Sequence, residues 1–433
     1  MPRFQAPVGT RDIMPPESAR WERLVGVFRA RVEAAGYGLV LSPMFEDVAV
    51  FERVGGATDV VTKEMYDFAD KGGRRVALRP EGTASVVRAW VQHRPPLPFK
   101  AWYAAPSFRY ERPQAGRYRQ HHQLGIEALG TDDPELDVEV IALAWGVVAD
   151  LGLERVGLAL NSLGDAESRP RYVAAMWSFM KANRKGLCEE HRRRTDEADA
   201  TGTVPANPLR VLDCKRTDCR NTTESAPRSI DFLSDAAAAD FGRVTDGLGS
   251  VGIDYRIEPR LVRGLDYYTR TIFELVAEDL DAAQNGIGGG GRYDGLVEAL
   301  GGPPTPGIGF GMGMERLLLA CDAESKFKLG STGVDVWVVD STGGSEATKL
   351  VHRLRTAGVS CDRSFNGRSM KAQFRGADRS GAVMALVLGP REVAAGEVSV
   401  QLLREDSPAV VVGAADVVGH VVKILAGQVG AKR

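Results

Sequence analysis

The sequence predicts an α+β domain built on an antiparallel sheet, carrying an insertion and followed by a smaller C-terminal α/β domain. Three observations lead there. Two strand-like runs between about Pro98 and Gly130 are separated by the polar loop RPQAGRYRQ, the pattern of a long hairpin. Residues from about 165 to 245 change character: RKGLCEEHRRRTDEADATGTVPANPLR is charged, proline-punctuated and weakly periodic, as expected of an insertion between patterned regions. After a composition break at about 321–333, strands and helices alternate, which predicts a compact α/β unit of about 100 residues.

Each element has its own local reason. In residues 17–35, Trp21, Leu24, Val25, Phe28 and Val32 fall at i, i+3, i+4, i+7 and i+11, the apolar stripe of an amphipathic helix that Gly36 and Gly38 end. The short run Leu39–Leu41 leads into Pro43, which fits a strand at an edge or interface where a missing N–H is tolerated. In the hairpin, period-2 alternation places His121, Gln123, Gly125 and Glu127 on one face and His122, Leu124, Ile126 and Ala128 on the other. Arg109 and Glu111 likewise point away from Phe108 and Tyr110. Beyond the insertion, the glycine run NGIGGGGRYDGL precedes GIGFGMGMERLLLA, a small-residue strand leading into an apolar helix. The C-terminal pattern is strand VDVWVVD, helix EATKLVHRLRTAG, strand VSCDRSF, helix RSMKAQFRGADRSG, strands AVMALVLG and EVSVQLLR, then a last helix.

Composition limits the function classes. With 433 residues, 55 Lys+Arg against 57 Asp+Glu and 44% hydrophobic residues, the chain is an ordinary globular protein of two or three domains, neither disordered nor fibrous. No apolar run approaches the ~18 residues of a membrane span, and MPRFQAPVGTRD lacks a signal peptide's apolar core, so a cytoplasmic location without a membrane partner is expected. A net charge of −2 argues against a protein that coats DNA, while leaving room for a local basic surface. Five scattered cysteines argue against a disulfide framework. Cys188, His191, Cys214 and Cys219 form C-x2-H and C-x4-C pairs of zinc-like spacing, but the pairs are irregular and lie in the charged insertion, so a structural zinc is not expected.

A sheet face carrying Arg109, Glu111, Gln123 and Glu127, with Arg263 in a glycine-containing turn, is costly to bury without a charged, hydrogen-bonding ligand; the other reading is an ion-pair network on a solvated sheet. Gly286 and Gly288–Gly291, followed by Arg292 and Tyr293, could bring backbone close to a ligand, as could Gly309, Gly311 and Gly313, or they could serve tight packing. Neither run is a P-loop or a dinucleotide fingerprint. Arg316 sits just inside a helix N-terminus, suited to a phosphate or simply to the helix surface.

Together these segments resemble the class II aminoacyl-tRNA synthetases and, within them, the histidyl-tRNA synthetases. The stretch ending at Pro43 resembles motif 1 (about 17–43), FRYERPQAGRYRQHHQLGIE motif 2 (about 100–130) and GIGFGMGMERLLLA motif 3 (about 307–320), while RPEGTAS, RGLDYYTRTIFEL and GGGRYDGL resemble the segments that mark the histidine enzyme. The resemblance implies a class II catalytic domain over 1–325, an anticodon-binding domain over 333–433, and a homodimer. It implies that Glu81, Thr83 and Gln123 hold the amino and carboxylate groups of L-histidine, that Glu127 and Tyr268 bond its imidazole, and that Tyr267, Tyr293 and Arg263 complete the site. ATP, with Mg²⁺ and no organic cofactor, would meet Arg109, Glu111, His121 and Arg316; Arg109 and Arg263 would be catalytic. Arg112, Gln114, Arg117 and Arg119 would meet the acceptor end of tRNA(His), and the face bearing Arg368, Lys371, Arg375 and Arg379 would meet RNA backbone. A site that hydrogen-bonds both ring nitrogens can discriminate by ~10⁴ or more, so no editing domain is expected. His121 stands where the family usually has an adenine-stacking phenylalanine, which predicts weaker or pH-dependent ATP binding near a pKa of about 6.5. Two competitors remain: a catalytically silent regulatory relative, which would lack the C-terminal domain and much of RGLDYY, and a class II enzyme for proline, threonine or glycine, against which Glu127, Tyr268 and RGLDYY argue.

Overall fold

The structure, a computed structural model, describes residues 4–56, 58–202, 204, 208–281, 285–328, 333–405 and 407–430. Residues 329–332 of the composition break, 203 and 205–207 of the insertion, and the ends of the two expected domains at 1–3 and 431–433 lie outside the described residues. The chain forms two compact units, Met1–Lys328 and Leu329–Arg433.

The first unit runs α1 (Glu17–Ala34), β1 (Gly38–Leu39), β2 (Phe45–Asp47), α2 (Val48–Gly55), β3 (Tyr66–Ala69), β4 (Arg75–Leu78), α3 (Thr83–His93), β5 (Phe99–Phe108), β6 (Gln120–Leu129), α4 (Pro134–Asp150) and β7 (Val156–Ser162). It continues with α5 (Ser168–Ala182), α6 (Glu189–Thr201), α7 (Thr217–Thr222), α8 (Asp235–Ser250), β8 (Arg256–Ile257), β9 (Thr269–Ala277), β10 (Gly286–Arg292), α9 (Leu296–Ala299), β11 (Gly307–Gly313) and α10 (Met314–Ala323). Its main sheet has the order β1-β5-β6-β11-β10-β9-β7-β8. Pairing is antiparallel throughout except at the two edges, where β1 joins β5 and β8 joins β7 in parallel.

The hairpin splits its two faces as alternation requires. Leu124, Ile126 and Ala128 enter one large core with Trp21, Leu24, Phe28 and Val32 of α1 and with α4. Phe28 meets Trp102 and Phe310 edge-on at 6.1 Å each, locking the helix against the sheet. The other face keeps the functional groups, with Glu127 opposite Ala101 on β5 and Gly309 on β11.

The charged segment after β7 is helical, contrary to its weak periodicity. α5, with Tyr172, Met176 and Met180, packs with Leu187, Val211 and Leu212 of the following segments into a small core of their own. Its last helix, α8, instead contributes Val244 and Leu248 to the main core, so the structure cuts across the expected 165–245 span.

The glycine run on β10 serves packing: a Cβ on Gly290 would stand 2.0 Å from the carbonyl oxygen of Gly309. Arg292, which follows that run, is fully buried and pairs with Asp137 at 2.7 Å while donating to the carbonyls of Thr131 and Asp133. That network ties β10 to the start of α4.

The second unit runs β12 (Val336–Asp340), α11 (Ser345–Thr356), β13 (Cys361–Arg363), α12 (Met370–Ser380), β14 (Met384–Leu388), α13 (Pro390–Ala395), β15 (Glu397–Leu402), β16 (Val410–Gly413) and α14 (Val417–Gly430). Its sheet order is β13-β12-β14-β15-β16, parallel across the first three strands and antiparallel beyond. The expected alternation is all present. Two short elements were not anticipated: α13, of six residues, and β16, an edge strand with Val410 and Val411 exposed and Val412 partly buried against the core.

Candidate active site

On the sheet face opposite the α1 core lies a charged cleft lined by Arg109, Glu111, Arg117, His121, Gln123, Arg263, Glu274, Glu315, Arg316 and the glycine backbones of β10 and β11. Arg109, one residue past β5, is aimed by a bond from its Nε to the Pro80 carbonyl, 2.9 Å. Arg316 lies in the first turn of α10 and donates to the carbonyls of Gly286 (2.8 Å) and Gly116 (3.3 Å). It is no surface arginine: burial, with Arg117 and Arg109 close by, pulls its pKa below the usual value. Arg263 donates to Glu274 at 3.3 Å, lies 5.8 Å from the Tyr268 ring, and keeps a buried Nε with no protein partner among the described residues. Burial opposes its charge, but Tyr268, Glu274 and Tyr267 hold the guanidinium above its ordinary value. Gly289 admits this side chain, since a Cβ there would stand 2.7 Å from Arg263 Nη1.

Beside the cleft is a buried nest of carboxylates and phenols. Glu127 is fully buried, and accepts from Thr83 Oγ1 at 2.7 Å, Tyr293 OH at 2.5 Å and Tyr103 OH at 3.4 Å. Burial drives its pKa up to about 8, against the pull of those hydroxyls. Room for it comes from Gly309, where a Cβ would fall 2.0 Å from Glu127 Oε2. Glu81 accepts from the backbone N–H groups of Thr83 (2.7 Å) and Ala84 (2.9 Å), capping α3, with Tyr267 OH at 3.4 Å; burial raises its pKa. Tyr267 packs against Tyr268 with ring centres 4.7 Å apart and edge-on against Tyr293 at 5.9 Å. Gln123 lines the cleft while its Oε1 accepts from Ser107 Oγ at 3.1 Å.

The geometry thus gathers Arg109, Glu111, His121, Gln123, Arg263 and Arg316 in the cleft, and Glu81, Thr83, Glu127, Tyr267, Tyr268 and Tyr293 in or around the nest. Two of the four residues assigned to an RNA-facing loop are not free in it. Arg117 is half-buried, forms an ion pair with Glu111 and lines the cleft; Arg119 lies 4.0 Å from the Tyr110 ring and donates to the Glu111 carbonyl. Only Arg112 and Gln114 are exposed. His121 also departs from expectation: burial first, then Arg109, His122 and Arg316, hold its pKa well below 6.5, so the ring stays neutral across the physiological range.

Several functional neighbours were missed. Glu274, on β9, lies in RGLDYYTRTIFEL but was not among the expected site residues, and Tyr103 faces inward from β5, opposite Gly125. A glycine within the patterned strand was the signal: a Cβ on Gly125 would meet Tyr103 Cζ at 2.3 Å. His122, on the opposite face, binds Glu315 through its backbone N–H and Nδ1, joining β6 to α10. No sequence signal marks that pair. The four residues whose spacing argued against zinc come together in three dimensions, their ligand atoms all within 4.8 Å of one another.

Comparison with known proteins agrees with the geometry. The histidyl-tRNA synthetase family model matches residues 9–317 and an anticodon binding domain model matches 334–423. The histidine–tRNA ligase of Rhodococcus erythropolis is 48% identical over 406 residues, 92% of this chain and 93% of that one. That of Mycobacterium bovis is 48% identical over 433 residues, 98% and 99% of the two chains. The apo crystal structure of Staphylococcus aureus histidyl-tRNA synthetase superposes with a TM-score of 0.80 at 33% identity, covering 97% of this chain and all of that one.

Proposed function

We propose how the residues of this chain, which belongs to the histidyl-tRNA synthetases and is a histidine–tRNA ligase, divide the work of its reaction. The observation that carries the assignment is a buried carboxylate-and-phenol nest set directly beside an arginine cleft, one suited to an imidazole and the other to a triphosphate. In the nest, Glu127 accepts from one ring nitrogen of histidine and the Tyr268 phenol serves the other, so an analogue lacking those nitrogens leaves buried polar groups unpaired. A ring N–H beside Glu127 favours its carboxylate form, which links histidine binding to loss of the proton that burial otherwise retains up to about pH 8. Glu81, Thr83 and Gln123 take the amino and carboxylate groups, with Tyr267 and Tyr293 closing the wall.

In the cleft, Arg109 grips the α-phosphate, Arg316 the outer phosphates, and neutral His121 lies against the adenine. Glu111, fixed by Arg117, faces the same space. The histidine carboxylate is already a nucleophile and attacks the α-phosphorus in line. Arg263 neutralises the charge that develops there, giving histidyl-adenylate and pyrophosphate. Glu111 and Glu274, carboxylates lining the cleft, are hard oxygen donors that would hold a Mg²⁺ ion arriving with ATP, which would supply charge neutralisation at the phosphates. A hydroxyl of the terminal ribose of the tRNA then takes the histidyl group, and AMP leaves. Arg112 and Gln114 are the exposed groups offered to its acceptor end, and the exposed Arg368, Lys371, Arg375 and Arg379 form the basic face offered to RNA in the second unit.

A homodimer is part of the same reading: Leu39, Leu41, Met44 and Phe45, in and after the motif 1 segment, are 50–81% exposed, an apolar edge suited to a second copy. No described helix is long and apolar enough to cross a membrane, and the cytoplasm is the proposed location. The test is ATP–pyrophosphate exchange with each of the twenty amino acids, beside an Arg263→Ala variant. Exchange is expected with histidine alone and falls about 10²–10³-fold in the variant. Exchange with another amino acid, none at all, or an unchanged variant would overturn the assignment.

A further inference from the structure

Away from the active site, three thiols and an imidazole converge in the insertion. Cys188 immediately precedes α6, His191 lies in its first turn, and Cys214 and Cys219 bracket the start of α7. The Sγ of Cys188 is 3.2 Å from His191 Nδ1 and that of Cys219 is 3.7 Å from the same nitrogen. In a tetrahedral zinc site, with Zn–S about 2.3 Å and Zn–N about 2.0 Å, neighbouring ligand atoms stand about 3.5–3.8 Å apart. The widest separation among the four, at most 4.8 Å, therefore needs to close by about an ångström.

Four further features favour an ion over a chance cluster. The set is three sulfurs and one nitrogen, the donor chemistry of closed structural zinc sites. All four side chains are available, since the cysteines are free. The backbone N–H of Cys188 donates to Cys219 Sγ at 3.2 Å, an outer hydrogen bond of the kind that steadies a metal-bound thiolate. The surrounding core is also small, so the insertion gains from a staple that its few buried apolar side chains do not supply.

We propose that Cys188, His191, Cys214 and Cys219 bind one structural Zn²⁺ ion. On binding, the three thiols release their protons to solvent and the ion takes three sulfurs and the neutral His191 nitrogen. With all four positions filled by protein, no site is left for water or substrate. The ion ties the start of α6 to the segment around α7. That segment in turn supports the loop presenting Arg263: Arg260 donates to the carbonyls of Leu212 and Arg220, both at 3.5 Å, and Val262 packs against the insertion's core.

The experiment uses the untagged full chain, purified under reducing conditions without chelator and analysed for metal content. The wild type is expected to hold about one zinc per chain, and a Cys214→Ser/Cys219→Ser variant less than about a tenth of that, while Cys321→Ala, outside the cluster, keeps its full content. Protein produced with cobalt is expected to show the intense visible bands of tetrahedral thiolate-bound Co²⁺, a readout that needs no variant to fold. A wild-type protein that holds under about a tenth of a zinc per chain even after Zn²⁺ is added back would overturn the proposal. So would full zinc content in the double variant, or a Cys188–Cys219 disulfide in the reduced preparation.

Discussion

Replacing Glu127 by glutamine isolates the cost of ionising one buried carboxyl. Glu127 has no exposed surface, and its pKa is pushed from 4.5 to about 8. Between those values the folded chain keeps a proton that the unfolded chain has released. Stability therefore falls as pH rises through this window, by at most about 1.4 kcal/mol per unit, and levels off above the folded value. Over the whole window the loss from this group is about 3–5 kcal/mol. Glutamine keeps the shape and one of the two acceptor oxygens, which Thr83 and Tyr293 use separately, places an NH2 donor at the other, and does not titrate. Urea unfolding of both proteins from pH 5 to pH 9 is the assay. The stability difference, variant minus wild type, should move in favour of the variant by about 3–5 kcal/mol across that range. A difference that stays constant with pH, or one that moves toward the wild type, would refute the account of Glu127 as a carboxyl held neutral by burial. The same variant should lose about 10–100-fold in kcat/KM for histidine, the worth of one charged hydrogen bond.

Other consequences are equally specific. Asp137→Ala leaves Arg292 buried without its carboxylate and should cost about 3–5 kcal/mol in unfolding free energy, whereas replacing both partners by apolar residues should cost less. Gly309→Ala should give an unstable protein that fails to activate histidine, because its Cβ meets both Glu127 and the Ile126 carbonyl, read by thermal unfolding and exchange assay. Gly26→Ala, at an exposed position inside α1 with nothing within 4 Å, should instead raise stability by about 0.5–1 kcal/mol. The KM for ATP should stay constant from pH 6 to pH 8, because His121 is neutral throughout; a rise toward pH 6 that disappears in His121→Phe would contradict this.

Local sequence was enough wherever a residue's role follows from its neighbours along the chain. The stripe of α1, the two faces of the β5–β6 hairpin and the alternation of the second unit all rest on periods of 3.6 or 2, which one strand or helix displays by itself. Charged side chains at Arg109, Glu127, Arg263 and Arg316 are also conspicuous in the sequence, but an ion-pair or surface reading stood beside the ligand reading until the family resemblance gave them roles.

What only the tertiary structure decided depends on groups far apart in sequence. Arg292 shows no sign of its role along the chain until Asp137, 155 residues away in α4, pairs with it in the core. His121 has an ordinary histidine's pKa on paper, but burial beside Arg109 and Arg316 removes its charge. The insertion shows the same limit most plainly. Its cysteines and histidine are irregularly spaced in one dimension, and only the packing of α6 and α7 on the insertion's small core brings the four ligand atoms within 4.8 Å of one another. Periodicity is a property of a segment, whereas desolvation, ion pairing and metal geometry belong to the neighbourhood that folding creates.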